Sequence, residues 1–305
     1  MGTNHRHAHG HKHDEINSKN LFTVTALNIV ITIAEIIGGL LSNSLALLSD
    51  AIHNLGDTVA IFLAYIANKI SKREATTRKT FGYKRIEILA ALFNSIALVV
   101  ITIFLFREAW LRLGNPEPIK GLMMFIVASV GLLANFFAVI LLKNDSKKNI
   151  NIKAAYLHLL GDTISSVAVI IGSVLIYFYK IYWIDPVLTI LIGLYILKET
   201  YSVLREAVDI LMQATPRSVK IPDVKKELEE IPGIDNIHHI HIWQLSDNQI
   251  HFECHADTST DLKITETEEI LEQFRNILKT RFSITHITVQ FEHYCCNDKN
   301  LINIR

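Results

Sequence analysis

The sequence predicts a membrane α-helical domain of six transmembrane helices, followed by a small C-terminal α+β domain of order αββαβ. Three observations predict it. Half of the 305 residues are hydrophobic, and the mean hydropathy is +0.28, high for a chain that folds in water. The apolar residues gather into long runs that end near residue 210. Beyond that point apolar and polar residues alternate and charges are frequent. The expected division is a His-rich tail over 1–20, a membrane domain over 21–212 and a soluble domain over 213–305.

Composition excludes several classes. Lys and Arg number 30, Asp and Glu number 30, and the formal charge is zero. That balance gives no polyanion-binding character, so no nucleic-acid partner is expected. The three cysteines, Cys254, Cys295 and Cys296, are an odd, late set and a poor disulfide framework, which fits a reducing compartment. No Walker A motif is present, so no nucleotide is expected to supply energy.

The N-terminus lacks the apolar core of a signal peptide. Its "HRHAHGHKH" places His5, His7, His9, His11 and His13 at alternate positions, a tract expected to capture metal weakly without a fixed ligand set. Six apolar segments follow, at 21–41, 45–68, 84–106, 119–142, 154–179 and 185–204. Each reaches the roughly 20 residues needed to cross a bilayer. Backbone groups in hydrocarbon must bond within their own segment, so these segments are expected to be helices. Positive charge sets their direction. The loop after the second holds Lys69, Lys72, Arg73, Arg78, Lys79, Lys84 and Arg85, and the loop after the fourth holds Lys143, Lys147, Lys148 and Lys153. The opposite loops are poorer, with Arg107, Arg112 and Lys120 in one and Lys180 in another. Both termini are therefore expected on the cytoplasmic side.

Pro216 and Pro222 mark a linker into the soluble part. "PDVKKELEEI" predicts a short helix after Pro222. "NIHHIHIWQL" and "QIHFECHADT" predict two strands around the turn-like "SDNQ". "DLKITETEEILEQFRNILKTRF" predicts a longer amphipathic helix, and "ITHITVQFEHY" a third strand. Alternation puts His239 and His241 on one face of the first strand and His238 on the other.

The second and fifth segments carry the chemistry. His53 and Asp57 lie four apart, as do His158 and Asp162 in "HLLGD". On a helix, residues i and i+4 share one face. Two imidazoles and two carboxylates make a four-ligand N/O set suited to tetrahedral Zn²⁺. Burying such groups in hydrocarbon is costly and ordinarily marks an ion path. A single pair reads as readily as a polar packing contact, and His with Asp also serves a proton relay; two identical pairs on two spanning segments favour the metal. Asp50 shares their helix face and is expected either to orient His53 or to lie at the outer mouth. Gly56 and Gly161 precede the two site aspartates and are expected to let the two helices approach closely. The terminal "HYCCND" reads either as thiolate ligands, Cys295 and Cys296, or as plain tail.

At this point the chain resembles a cation diffusion facilitator of the zinc-transporting, cobalt-zinc-cadmium resistance type. The resemblance rests on "AEIIGGLLSNSLALLSDAIHNLGD", "FGYKRIEILAALFN", "LHLLGDTISSVAVIIG", "IDPVLTILIGLYIL" and "HHIHIW…HFECHADT…HITVQFE", in the expected order over nearly the whole chain. It implies a ferredoxin-like cytosolic domain, a homodimer in the lipid of a bacterial plasma membrane, and exchange of metal for protons. It places the transport site at His53, Asp57, His158 and Asp162. A His in the first pair goes with zinc, with Co²⁺ or Cd²⁺ as further passengers. The resemblance also makes His238, His255 and Glu292 ligands of a cytosolic metal site. Some relatives carry another site, of Asp and His, in the loop between the second and third helices. "SKREATTRKTFGYKR" offers neither residue, so that site is expected to be absent.

Three rival functions are weaker on the same residues. A passive channel calls for a charged ring at a pore. A membrane metalloenzyme needs an open position for water on its zinc, which four protein ligands close. A zinc sensor acting through the soluble domain leaves the membrane His/Asp pairs without a task.

Overall fold

The computed structural model describes residues 18–143, 150–246, 249–293 and 300–301. It separates into two compact units, Met1–Val59 with Ala97–Glu199, and Ala60–Ile96 with Thr200–Arg305. Six long helices come first: α1 (Ser18–Ser42), α2 (Leu45–Ser71), α3 (Ile86–Gly114), α4 (Gly121–Leu142), α5 (Ile150–Tyr179) and α6 (Ile184–Leu211). Among the described residues, α3, α4, α6 and the Tyr156–Tyr179 stretch of α5 are long and apolar enough to cross a membrane, and Ala26–Ser42 of α1 is a shorter apolar helix. The polar side chains of α2, Asp50, His53, Asn54 and Asp57 among them, lower its hydropathy without shortening it. α3 and α6 outrun their apolar segments. Arg107, Glu108, Leu111 and Arg112 continue α3, and Glu206, Ala207 and Leu211 continue α6, all good helix formers.

In the first unit the interior and surface are arranged for lipid. Leu47, Met124, Val169, Ile176 and Ile196 form a buried apolar cluster. Beside them, Thr32, Glu35, Asn135 and Ser173 are also buried. Large apolar side chains such as Phe104, Phe137, Ile164 and Phe178 face outward. In water so much exposed apolar surface is a liability; against hydrocarbon it is the matching face, and polar residues belong inside. The start of α4 packs hard on the end of α5, where a Cβ on Gly121 would stand 2.8 Å from the Tyr177 backbone nitrogen.

The start of α2 is capped from another helix. Ser44 is its N-cap, its hydroxyl accepting the Leu47 N–H at 3.1 Å. Asp185, in the first turn of α6, accepts the Ser44 hydroxyl at 2.5 Å, the Leu45 N–H at 2.7 Å and the Ala46 N–H at 3.3 Å. A carboxylate at a helix N-terminus satisfies orphan donors and opposes the positive end of the dipole. Asp185 is fully buried, so these bonds have no competition from water.

In the second unit the order is α7 (Ile221–Glu229), β1 (Ile234–Ser246), β2 (Gln249–Thr258), α8 (Ile264–Phe282), β3 (His286–Glu292). The sheet order is β1-β2-β3, with β1 and β2 antiparallel and β2 and β3 parallel. Val224 and Leu228 of α7 join Ile270, Phe274 and Leu278 of α8 over Ile237, Ile240, Ile242, Phe252 and Ala256 of the sheet. This is the expected αββαβ domain with a ferredoxin-like packing of helices on the sheet. Its boundaries differ in detail. α7 opens at Ile221, because Pro222 fits the first turn, where its missing N–H is not needed. α8 opens at Ile264, later than the charged stretch suggests, where the Glu266 carboxylate reaches back to the Lys263 N–H at 2.7 Å.

Strand β1 does not alternate cleanly. Its register with β2 shifts between His238 and His241, and His239 takes a left-handed φ of 53°. The extra residue makes a β-bulge. Ile237 and Ile240 are both in the core although three apart, and Ile240 and Ile242 then resume the period of two. The bulged edge is held by residues near the C-terminus, with the His239 and Ile240 N–H groups donating to the Asn300 and Leu301 carbonyls.

Candidate metal centre

Helices α2 and α5 bring the two His/Asp pairs to one point. Within each helix the i,i+4 spacing leaves His53 Nε2 3.8 Å from Asp57 Oδ2, and His158 Nε2 3.6 Å from Asp162 Oδ2. Across the helices the approaches are closer: His158 Nε2 to Asp57 Oδ2 is 3.0 Å and His53 Nε2 to Asp162 Oδ1 is 3.5 Å. The four groups therefore brace each other crosswise. A tetrahedral zinc with ligand bonds of about 2.0–2.1 Å has ligand–ligand edges of about 3.3–3.4 Å. The four nitrogen–oxygen separations straddle that value.

Burial sharpens the picture. His53 is 5% exposed, and neither ring nitrogen meets hydrogen-bond geometry. The Asp162 side chain is 3% exposed, and its Oδ1 is also unbonded. Buried polar atoms without hydrogen bonds are rare and costly. Of these, His53 Nε2 and Asp162 Oδ1 face each other at 3.5 Å, as ligands do around a cation. Asp57 and His158 are wetter, at 30% and 34%.

Asp50 lies one turn before His53 and is 2% exposed. Its carboxylate accepts the Ser165 hydroxyl at 2.6 Å and the Ser166 hydroxyl at 3.5 Å, tying α2 to the turn of α5 that follows Asp162. The glycines serve different neighbours from those expected. A Cβ on Gly56 would meet Leu98 of α3, and one on Gly161 would stand 2.6 Å from the Tyr195 hydroxyl of α6. Neither opens the α2–α5 contact.

Several residues escaped the sequence reading. Glu199 of α6 has Oε2 3.9 Å from His53 Nε2. Tyr195, one turn earlier on α6, sets its ring edge-on to His53 at 6.0 Å. On the other side of α2, Asn54 donates to Glu35 of α1 at 2.9 Å inside the bundle. Asp185 caps α2 as described. Glu199 follows Lys198 where the sixth apolar run fades, and so reads as a solvated helix end. Only the i, i+4 step from Tyr195 to Glu199 hints that both share a face.

A second cluster lies in the soluble domain. His238, His255 and Glu292 each offer a ligand atom within 4.8 Å of the others. His255 Nδ1 is 2.7 Å from Glu292 Oε1, and His238 Nε2 is 3.6 Å from Glu292 Oε2. His238 and Glu292 are buried and His255 is half-buried. The bulge brings His239 in as well, its ring 4.5 Å from that of His255 and 5.1 Å from that of His241. Cys254 is buried in the apolar core, where burial pushes its thiol well up from the ordinary value. Cys295, Cys296 and the N-terminal histidines lie outside the described residues.

The cation efflux transmembrane domain model matches residues 21–212, and the model for the cation efflux protein cytoplasmic domain matches 216–294. The chain belongs to the cation efflux family. Members of this family move cations and are not enzymes. A Bacillus subtilis protein named cadmium, cobalt and zinc/H(+)-K(+) antiporter is 37% identical over 296 residues, covering 96% of this chain and 95% of that one. The metal cation efflux system protein CzcD of Cupriavidus metallidurans is 38% identical over 288 residues, 94% of this chain and 90% of its own. Zinc transporter ZitB of Escherichia coli is 36% identical over 299 residues, 97% and 94%.

Proposed function

We propose that this cation efflux protein is a secondary active transporter that exports Zn²⁺ from the cytoplasm in exchange for protons, carrying Co²⁺ or Cd²⁺ as well. The observation that carries the reading is the crosswise set of His53, Asp57, His158 and Asp162, with unbonded buried atoms pointing at one another. Relatives named for zinc, cadmium and cobalt transport and for H(+)-K(+) antiport support the cargo and the counter-ion. Metal binds neutral imidazole and ionised carboxylate, so metal and protons compete for the same lone pairs. Loading from the cytoplasm displaces protons, and reprotonation from outside favours release. The pairs sit on different helices, so a rocking motion that parts α2 from α5 dismantles the site.

The assembly proposed is a homodimer in a bacterial plasma membrane, with both termini cytoplasmic and the division 1–20, 21–212 and 213–305. The match to the cytoplasmic-domain model and the bacterial relatives support it. His238, His255 and Glu292 are proposed to hold a regulatory zinc: two imidazoles and a carboxylate are a zinc-type donor set, and their ligand atoms lie close enough to share one ion.

Reconstituted into vesicles with an acidic lumen, the protein is expected to drive zinc uptake, and collapsing the gradient is expected to stop it. Uptake that ignores the gradient removes the antiport. His158→Ala is expected to abolish transport while the dimer still elutes intact.

A further inference from the structure

The transport-site histidines face a third carboxylate that neither His/Asp pair supplies. Ligand atoms of His53, His158 and Glu199 all lie within 4.8 Å of one another. The three acids around the imidazoles differ in wetness: the side chain of Asp162 is 3% exposed, that of Asp57 30% and that of Glu199 42%. Asp162 is the dry end of the cluster and Glu199 the wet end. Both histidines are common to the two sets.

We propose that His53, His158 and Glu199 form a second ligand set for the divalent cation, occupied as the ion passes between the four-ligand site and water. The inference rests on the reading of the His/Asp set as the transport site. An ion that trades the two aspartates for Glu199 keeps both imidazoles throughout and is never stripped of ligands in a low-dielectric interior. Three protein donors leave the remaining tetrahedral position to a water, which suits an ion shedding or regaining its hydration shell. Glu199 also brings α6 into metal contact, since both His/Asp pairs sit on α2 and α5. Tyr195 stands one turn before Glu199 on α6, its ring edge-on to His53, and the absence of a side chain at Gly161 leaves room for its hydroxyl. The competing view makes Glu199 part of the packing beside Tyr195, with no contact to the ion.

Two substitutions separate the views. Glu199→Gln keeps the size but removes the charge. Tyr195→Phe removes the neighbouring hydroxyl and keeps the carboxylate. Loss of a group that supports metal ligation costs on the order of 10–100-fold in affinity. Glu199→Gln in the full-length dimer is expected to raise the zinc KM about tenfold and to weaken zinc binding by calorimetry to match, with kcat falling less than threefold. Tyr195→Phe is expected to shift KM less than threefold. Wild-type KM and affinity in Glu199→Gln overturn the second ligand set, as does a Tyr195→Phe shift equal to that of Glu199→Gln. The underlying transport site is tested separately: unchanged zinc binding in His158→Ala removes that reading, whereas a defective His158→Ala beside a normal Glu199→Gln removes only the proposal made here.

Discussion

Asp185 holds three donors at the start of α2 from a position on α6. Replacing it with Ala leaves the buried Leu45 and Ala46 N–H groups without acceptors. The expected cost is on the order of 3 kcal/mol, visible as a lower melting temperature in detergent, with zinc transport lost in parallel. His251 offers a different single-residue test. It is 5% exposed, its ring lies 4.5 Å from that of His286 and stacks on Trp243, and burial with that neighbouring imidazole lowers its pKa from the ordinary 6.5. The fold thus favours neutral His251, while the unfolded chain binds its proton near pH 6.5. This stabilisation is fully present above that value and is lost as pH falls below it toward the folded-state pKa. His251→Asn is expected to flatten the fall in melting temperature between pH 7.5 and 5.5; a fall as steep as in the wild type rejects the assignment. The same scale shows what sequence could reveal. The two His/Asp pairs were legible because helical spacing alone puts each pair on one face. Glu199 was not, because a Lys–Glu step at the end of an apolar run looks like a solvated helix end. Asp185, followed by Pro186, looks like the start of its own helix, and nothing local reveals that it caps another.

Among the elements, α5 and α6 meet where Gly161 faces the Tyr195 hydroxyl at 2.6 Å from a virtual Cβ. Gly161→Ala is expected to displace that hydroxyl and raise the zinc KM severalfold. Removing the hydroxyl in the Gly161→Ala/Tyr195→Phe double variant is expected to restore much of the loss, so the two changes are non-additive. Additive losses would mean that the glycine matters for another reason. Helix spans were legible to within a few residues at most ends, because hydropathy reports contact with lipid. The far ends of α3 and α6 were not, since a helix leaving the membrane continues on charged helix formers. The bulge in β1 left one trace in the sequence, the three-residue step from Ile237 to Ile240. It matters because it sets His238 beside His255 and Glu292, and His239 against His255.

At the scale of the whole molecule, the domain types and their order were readable because a membrane segment and a water-soluble sheet need opposite compositions. Two units nonetheless share three helices, since α2, α3 and α6 each contribute residues to both. Transport is expected to depend on the proton gradient, and zinc loading of His238, His255 and Glu292 to shift the dimer toward its transport-competent state. Zinc titration of His238→Ala, with transport followed in parallel, checks the second point: unchanged zinc stimulation rejects a regulatory ion at that cluster.

The Asp185 cap also has a mechanical meaning. It fastens the first residues of α2 to the first turn of α6, so the two rods share a pivot. His53 lies eight residues along α2 from Leu45, a lever arm of about 12 Å at 1.5 Å per residue. A swing of only about 10° about that pivot carries the imidazole about 2 Å, roughly ten times the ~0.2 Å tolerance of a zinc–ligand bond. A small angular stroke, hinged at one carboxylate, would be enough to open the proposed His/Asp site.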